Sequence, residues 1–462
     1  MAGHRHALSP IVFQRLRRIL MRLRKSLYCL PVLGLSLLLL IVNLGQPAEA
    51  ETTQLKAPRP VVWKDFLGVN AHFLWFTPAQ YQQQMQRLQA LDLQWVRVDL
   101  HWDRHEPAEQ QYRFGELDGV VDALQARQLK SVFYLVGSAP HASTAPVGSA
   151  TPDQYPPRDP QLFASRMALL AKRYPSVNAW QVWNEPNLPA FWRPKEDAQG
   201  YALLLQASVQ ALRAVAPDKP VVMAGMAYYS QMPVKGGLML ESLGQLGVQQ
   251  LGSIVAYHPY SQTPESDEAG KRDFILRSQQ LNQMLRGAQA PAIWATEWGW
   301  SSYAGPKEEQ PIIGPQGQAD YVLRRLALMS ALDYDKIFLF ALSDLDSRAG
   351  ARDQHYGLLD LQGQPKPVYL ALQRFLKISG PRLEPAEPPQ LSELPDDLYS
   401  VSWTREDGKH LWFFWSASGA SLHLPQVQQA ELHDPLSGAS RQLQAADGIR
   451  PQALASLQML VW

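Results

Sequence analysis

Residues 179–187 read AWQVWNEPN. An apolar, aromatic run stops at Asn184 and Glu185, and Pro186 breaks it, so the stretch predicts a buried strand ending in a carboxylate. Residues 292–299, AIWATEWG, repeat the design: an apolar run, then Glu297, then an indole and a glycine. Outward from these two, short β-branched or aromatic runs recur at FLGVN (66–70), WVRVDL (95–100), SVFYLV (131–136), PVVMAGM (220–226), SIVAYHPY (253–260) and KIFLFALSD (336–344). That makes eight candidate strands between residues 65 and 378.

The segments between them carry helical periodicity. In 78–92, Tyr81, Met85, Leu88 and Leu91 fall on one face, and similar stretches lie near 116–128, 160–173, 196–216, 267–287, 317–333 and 366–377. Strands alternating with helices predict an α/β fold, a (β/α)8 TIM barrel over 63–378, with a doubly wound open sheet as the competing topology. Residues 379–397 hold five prolines and five acids and read as a linker. Beyond it, alternating apolar residues and turns at Asp407-Gly408, Asp434-Pro435 and Asp447-Gly448 predict a small C-terminal antiparallel β-sandwich domain over 398–462, which residues 51–62 could join.

The 462 residues are 46% hydrophobic and 18% charged, the composition of a folded globular chain. The first fifty hold seven of the 43 basic side chains and one of the 42 acidic ones, which leaves the body with a small acidic excess. Nucleic acid is therefore not an expected partner. Basic residues up to Lys25, the apolar run SLYCLPVLGLSLLLLIVNL and the Ala48-Glu49-Ala50 site predict a signal peptide or membrane anchor over 1–50. Export to the periplasm, free or anchored at the inner membrane, is the expectation. The single cysteine, Cys29, lies in that segment, so no disulfide or thiolate site is expected in the exported body.

In a parallel barrel, reactive groups project from the carboxyl ends of the strands. Glu185 and Glu297 are placed there, and two carboxyl groups converging on one bond are what glycoside hydrolysis needs. Glu106, Glu116 and Glu196 read instead as solvated side chains, and Asp99, Asp103, Asp344 and Asp346 as loop caps or salt-bridge partners. The motifs WNEPN and TEWGW, with their glutamates 112 residues apart, Arg97 on strand two and His258-x-Tyr260 on strand six, resemble those of clan GH-A retaining glycoside hydrolases, nearest to family 39. The resemblance implies that Glu185 is the acid/base and Glu297 the nucleophile, with Arg97 and Tyr260 donating to the nucleophile and Asn184 to the sugar 2-hydroxyl. His258 takes the first position of His-x-Tyr, while Phe340 stands near the point where many members of the clan carry a tryptophan.

Indoles suit sugar faces. Trp102, Trp298 and Trp300, with Trp183 and Trp192, are expected to line a groove, whereas Trp412 and Trp415 read as core of the C-terminal domain. There is no GxSxG, P-loop or GxGxxG, and no metal or cofactor is implied. A closer likeness within the clan implies an endo-acting enzyme, monomeric, whose polysaccharide substrate is a mannose-containing exopolysaccharide of biofilm matrix, working beside synthesis and export machinery. The competing expectations are a non-hydrolytic polysaccharide-binding scaffold and a transglycosylase.

Overall fold

The computed structural model describes residues 53–227, 239–266, 273–306 and 310–462. The expected leader over 1–50, with Cys29, lies outside them. Among the described residues no helix is long and apolar enough to cross a membrane.

All eight expected strands form. They are β1 (Leu67–Asn70), β2 (Trp95–His101), β3 (Lys130–Val136), β4 (Ala179–Val182), β5 in two pieces (Val221–Met223 and Met226–Ala227), β6 (Val255–His258), β7 (Ile293–Trp298) and β8 (Lys336–Leu339). Every pairing is parallel, and the sheet runs from the first piece of β5 through β4, β3, β2, β1, β8, β7 and β6 to the second piece of β5. A bridge between Val222 and Ile254 brings the first piece of β5 to the start of β6, so the sheet curls round on itself as a (β/α)8 barrel does. The open doubly wound sheet is thereby set aside. Strands such as β3, buried from Ser131 to Val136, lack polar alternation because both faces of a parallel sheet are covered.

The helices start where the sequence supplies caps. Thr77 and Gln80 form a capping box ahead of Pro78–Gln89, which buries Tyr81, Met85 and Leu88. Asp159 accepts from the Gln161 amide ahead of Pro160–Arg173, and Asp197 from the Gly200 amide ahead of Ala198–Val215. Met239–Gln245, a short helix after β5, was not expected from periodicity. Two turns are too few to show an apolar stripe.

The C-terminal residues form one antiparallel sheet in the order Ser440–Gln444, Gln429–His433, Gln458–Val461, His410–Ser416, Leu398–Arg405, Arg382–Pro385, Val61–Val62. Arg382–Pro385 thus turns part of the expected linker into a strand, and Thr53–Leu55 pairs in parallel with Leu398–Arg405. Alternation sorts the side chains. Val401, Trp403, Leu411, Phe413 and Trp415 join the core shared with the barrel, where the Phe375 ring of Pro367–Ser379 meets Phe413 at 5.0 Å. Trp412, Phe414 and Leu460 face a second cluster, covered by Leu422, Leu424 and Ile449 from bridged loops and not by a second regular sheet.

Candidate active site

Consecutive residues of a strand normally point to opposite faces. Yet Thr296 and Glu297 both reach the barrel centre, because the register of β7 against β8 shifts between Ala295 and Trp298. At the end of β4, Trp183 and Glu185 have positive φ angles of 73° and 38°, a region that non-glycine residues rarely occupy. This backbone sends Asn184 and Glu185 into one cluster, and Trp183 is wholly buried.

Arg97 is the hub of the cluster and is 1% exposed. Its guanidinium donates to Glu297 Oε1 at 2.6 Å, Asn184 Oδ1 at 2.8 Å, Asn70 Oδ1 at 2.9 Å and Gln181 Oε1 at 2.6 Å, and lies 3.8 Å from the centre of the Tyr134 ring. A buried cation this fully bonded is tolerated and gives Glu297 a fixed counter-charge. The Tyr260 hydroxyl donates to the other oxygen of Glu297 at 3.2 Å. Burial, reinforced by the negative charge of Glu297, pushes the Tyr260 phenol well above its ordinary value, so it remains a donor.

His258 couples the two carboxylates. Its Nδ1 lies 2.8 Å from Glu185 Oε1 and 3.7 Å from Glu297 Oε2, while Nε2 lies 2.9 Å from Thr296 Oγ1. Complete burial, aided by the positive Arg97, pulls the imidazole down to about 4, so it is neutral at pH 7. A neutral ring bonded to a threonine hydroxyl can switch tautomers, because the hydroxyl both donates and accepts. His258 can therefore accept from a protonated Glu185 or donate to an ionised one.

Gly225, in the break of β5, makes room for this ring. A Cβ there would sit 1.9 Å from His258 Nε2 and 2.6 Å from Thr296 Oγ1. The Gly225 carbonyl accepts from the Glu185 amide at 3.1 Å, so one small residue seats both His258 and Glu185.

Glu185, His258 and Glu297 present one ligand atom each within 4.8 Å of one another. A cation among them would meet the Arg97 guanidinium already bonded to Glu297, so the set is better suited to proton transfer than to a metal.

The structure thus brings together Glu185, Glu297, Asn184, Arg97, His258 and Tyr260. Trp102, Trp298 and Trp300 are corrected: all three are at most 1% exposed and offer no free face to a sugar. Trp102 donates to Glu106 and Trp300 to the Ser261 carbonyl, so they brace the mouth from behind. Glu106 is also corrected. It is buried in a two-pronged pair with Arg166, at 2.6 Å for each prong. Asp344 and Asp346 are salt-bridge partners, of Lys366 and Arg348. Asn70, Gln181 and Thr296 were not anticipated; their one signal is a polar residue inside an otherwise apolar strand.

The chain belongs to the cellulase family, glycosyl hydrolase family 5, whose model matches residues 56–325. Its fold is that of clan GH-A, and similar solved structures fall in other families of the clan. A family 39 glycoside hydrolase from the gut symbiont Bacteroides cellulosilyticus WH2 is 19% identical, with a TM-score of 0.66 over 87% of this chain and 82% of that one. A family 39 β-xylosidase from Caulobacter crescentus is 15% identical, with a TM-score of 0.59 over 89% and 99%. A family 30 endoxylanase from Clostridium papyrosolvens C71 is 10% identical, with a TM-score of 0.57 over 89% and 97%. Structures of families 39 and 30 both share the fold, while the sequence model that matches is that of family 5. No curated protein matches the sequence.

Proposed function

We propose that the chain is an exported, retaining endo-glycosidase that cuts a mannose-containing exopolysaccharide during biofilm matrix biosynthesis. One observation carries the chemistry: oxygens of Glu185 and Glu297 lie within 4.8 Å of each other at the barrel mouth. Retaining glycosidases hold their two carboxyl groups about 5–5.5 Å apart, whereas inverting ones leave room for a water between them.

In the first step the Glu297 carboxylate attacks the anomeric carbon while Glu185 gives its proton to the leaving oxygen, and a covalent glycosyl-enzyme forms. Arg97 and Tyr260 hold Glu297 aimed until then, each donating to one of its oxygens. In the second step the Glu185 carboxylate takes a proton from water, which attacks the same carbon and frees Glu297. His258 stays bonded to Glu185 through both steps by exchanging donor and acceptor roles. Asn184, its Oδ1 occupied by Arg97, offers its amide N–H to the sugar 2-hydroxyl.

The substrate class rests on likeness. LKAPRPVVWKDFLGVNA, LHWDRHE, DQYPPRDP and GQADYVLRRLALMSALDYDKIFLF resemble stretches of PslG, the glycosidase of the Psl exopolysaccharide pathway. The basic and apolar segment over 1–50 supports a periplasmic setting, anchored or free.

The test is reducing-end release from purified mannose-rich exopolysaccharide by the full chain beside Glu185→Gln and Glu297→Gln. Oligosaccharide release by the wild type alone supports the reading. Products longer than the substrate would mean transfer to a sugar hydroxyl. Equal inactivity of all three, with polymer still bound, would make the chain a binding scaffold.

A further inference from the structure

Tyr260 stands on a loop, residues 259–266, that has no strand or helix to hold its shape. Beside a turn between Thr263 and Ser266 and the Phe274 amide on the Glu265 carbonyl, side chains from elsewhere bond its backbone carbonyls. Arg325, wholly buried on the helix Gly314–Ser330, donates to the carbonyls of Pro259 at 2.7 Å, Pro264 at 2.8 Å and Thr263 at 3.1 Å, and also to the Ser261 hydroxyl. The Trp300 indole donates to the Ser261 carbonyl at 3.0 Å.

The third anchor comes from the C-terminal sheet. Glu265 Oε1 accepts from Arg324 and, at 3.0 Å, from the indole of Trp415. Trp415 is 1% exposed, on the face of the sheet packed against the barrel, and stacks on Tyr399 at 5.5 Å. The far end of this chain of contacts is the Tyr260–Glu297 bond.

We propose that Trp415 is a positioning residue for the catalytic centre: through Glu265 it holds the loop that sets the Tyr260 hydroxyl on Glu297. The inference rests on Glu297 being the nucleophile. It gives the C-terminal sheet a part in catalysis without sugar binding. The reason is geometric, since a hydrogen bond to the nucleophile tolerates little displacement and the loop has no ladder of its own.

The experiment is a double-mutant cycle in the full chain, with reducing-end release from mannose-rich exopolysaccharide as the assay and Trp415→Phe, Tyr260→Phe and the double variant compared. Trp415→Phe is expected to lower kcat about tenfold with KM changed less than about twofold, and to have no further effect in the Tyr260→Phe background. Trp412→Phe, on the opposite face of the same sheet, controls for loss of packing. Amide hydrogen exchange supplies a readout independent of activity: protection of 259–266 should fall in Trp415→Phe and not in Trp412→Phe. Additive losses in the cycle, or exchange equal in the two tryptophan variants, would overturn the proposal. An inactive wild type would sink the glycosidase reading, and hydrogen exchange would still decide whether Trp415 holds the loop.

Discussion

The barrel mouth and the C-terminal sheet are both buried, yet they are built from opposite materials. At the mouth, Arg97, Glu185, Glu297, His258, Asn184, Gln181 and Thr296 are all nearly inaccessible, and every one has a hydrogen-bond partner. In the sheet the core is indoles, phenyl rings and aliphatic side chains, and the indole nitrogens of Trp403 and Trp412 have no partner among the described residues. Packing tolerates an unmet indole N–H in the sheet, and at the mouth too, where the Trp298 nitrogen has no partner among the described residues. The mouth gathers charge that packing alone would expel, which is the mark of chemistry rather than of structure.

The sharpest way to break that contrast is to remove a carboxylate. Glu297→Gln or Glu185→Gln should lower kcat/KM about a thousandfold or more, and Glu297→Gln, which takes the counter-charge from the buried Arg97, should also lower the thermal midpoint. Trapping of a glycosyl-enzyme by mass spectrometry should succeed with Glu185→Gln and fail with Glu297→Gln.

Arg97→Lys comes next. A lysine ammonium cannot meet four acceptors spread round a planar fork, so Glu297 loses its designed partner in a buried site. The expected cost is about 3 kcal/mol of stability in denaturant titration, with activity lost as well. A wild-type-like midpoint would show that the hub is less essential than its bonds imply.

Gly225→Ala tests the space under His258. Because the added methyl would sit 1.9 Å from Nε2, the ring must move, and activity should fall about a hundredfold with a smaller loss of stability. His258 itself should show in the pH dependence of stability. Its folded value, about 4, lies below the ordinary 6.5, so the unfolded chain binds the proton more readily. Stability from this group is complete above about pH 6.5 and is lost as pH falls toward 4, by about 3 kcal/mol in all. His258→Asn should flatten that acid-side slope in pH-dependent melts.

The smallest effect belongs to the sheet. Trp412→Phe should lower stability by about 1 kcal/mol and leave activity within about twofold of the wild type, because that face packs only on its own loops. A large loss of activity would erase the distinction between the two regions.

The strands and the two carboxylates that converge at the barrel mouth were legible in the sequence because both are local signals. An apolar run followed by a breaker marks a strand end, and in a parallel barrel the strand end is where chemistry sits. The tryptophans misled for the same reason: Trp102, Trp298 and Trp300 stand at strand ends, but only packing sets which way an indole turns. Arg382–Pro385 was hidden by composition, since its pairing partners lie outside the proline-rich stretch that contains it.

The sequence by itself determined the eight strands, their order along the chain, and the position of Glu185 and Glu297 at two strand ends. Only the tertiary structure decided what surrounds them. Arg97 meets Asn70, Gln181 and Glu297 across separations of 27, 84 and 200 residues, and His258 meets Glu185 across 73. No local pattern encodes such contacts. They exist because closing the barrel brings distant strand ends into one buried space, where low dielectric makes each charge demand a partner.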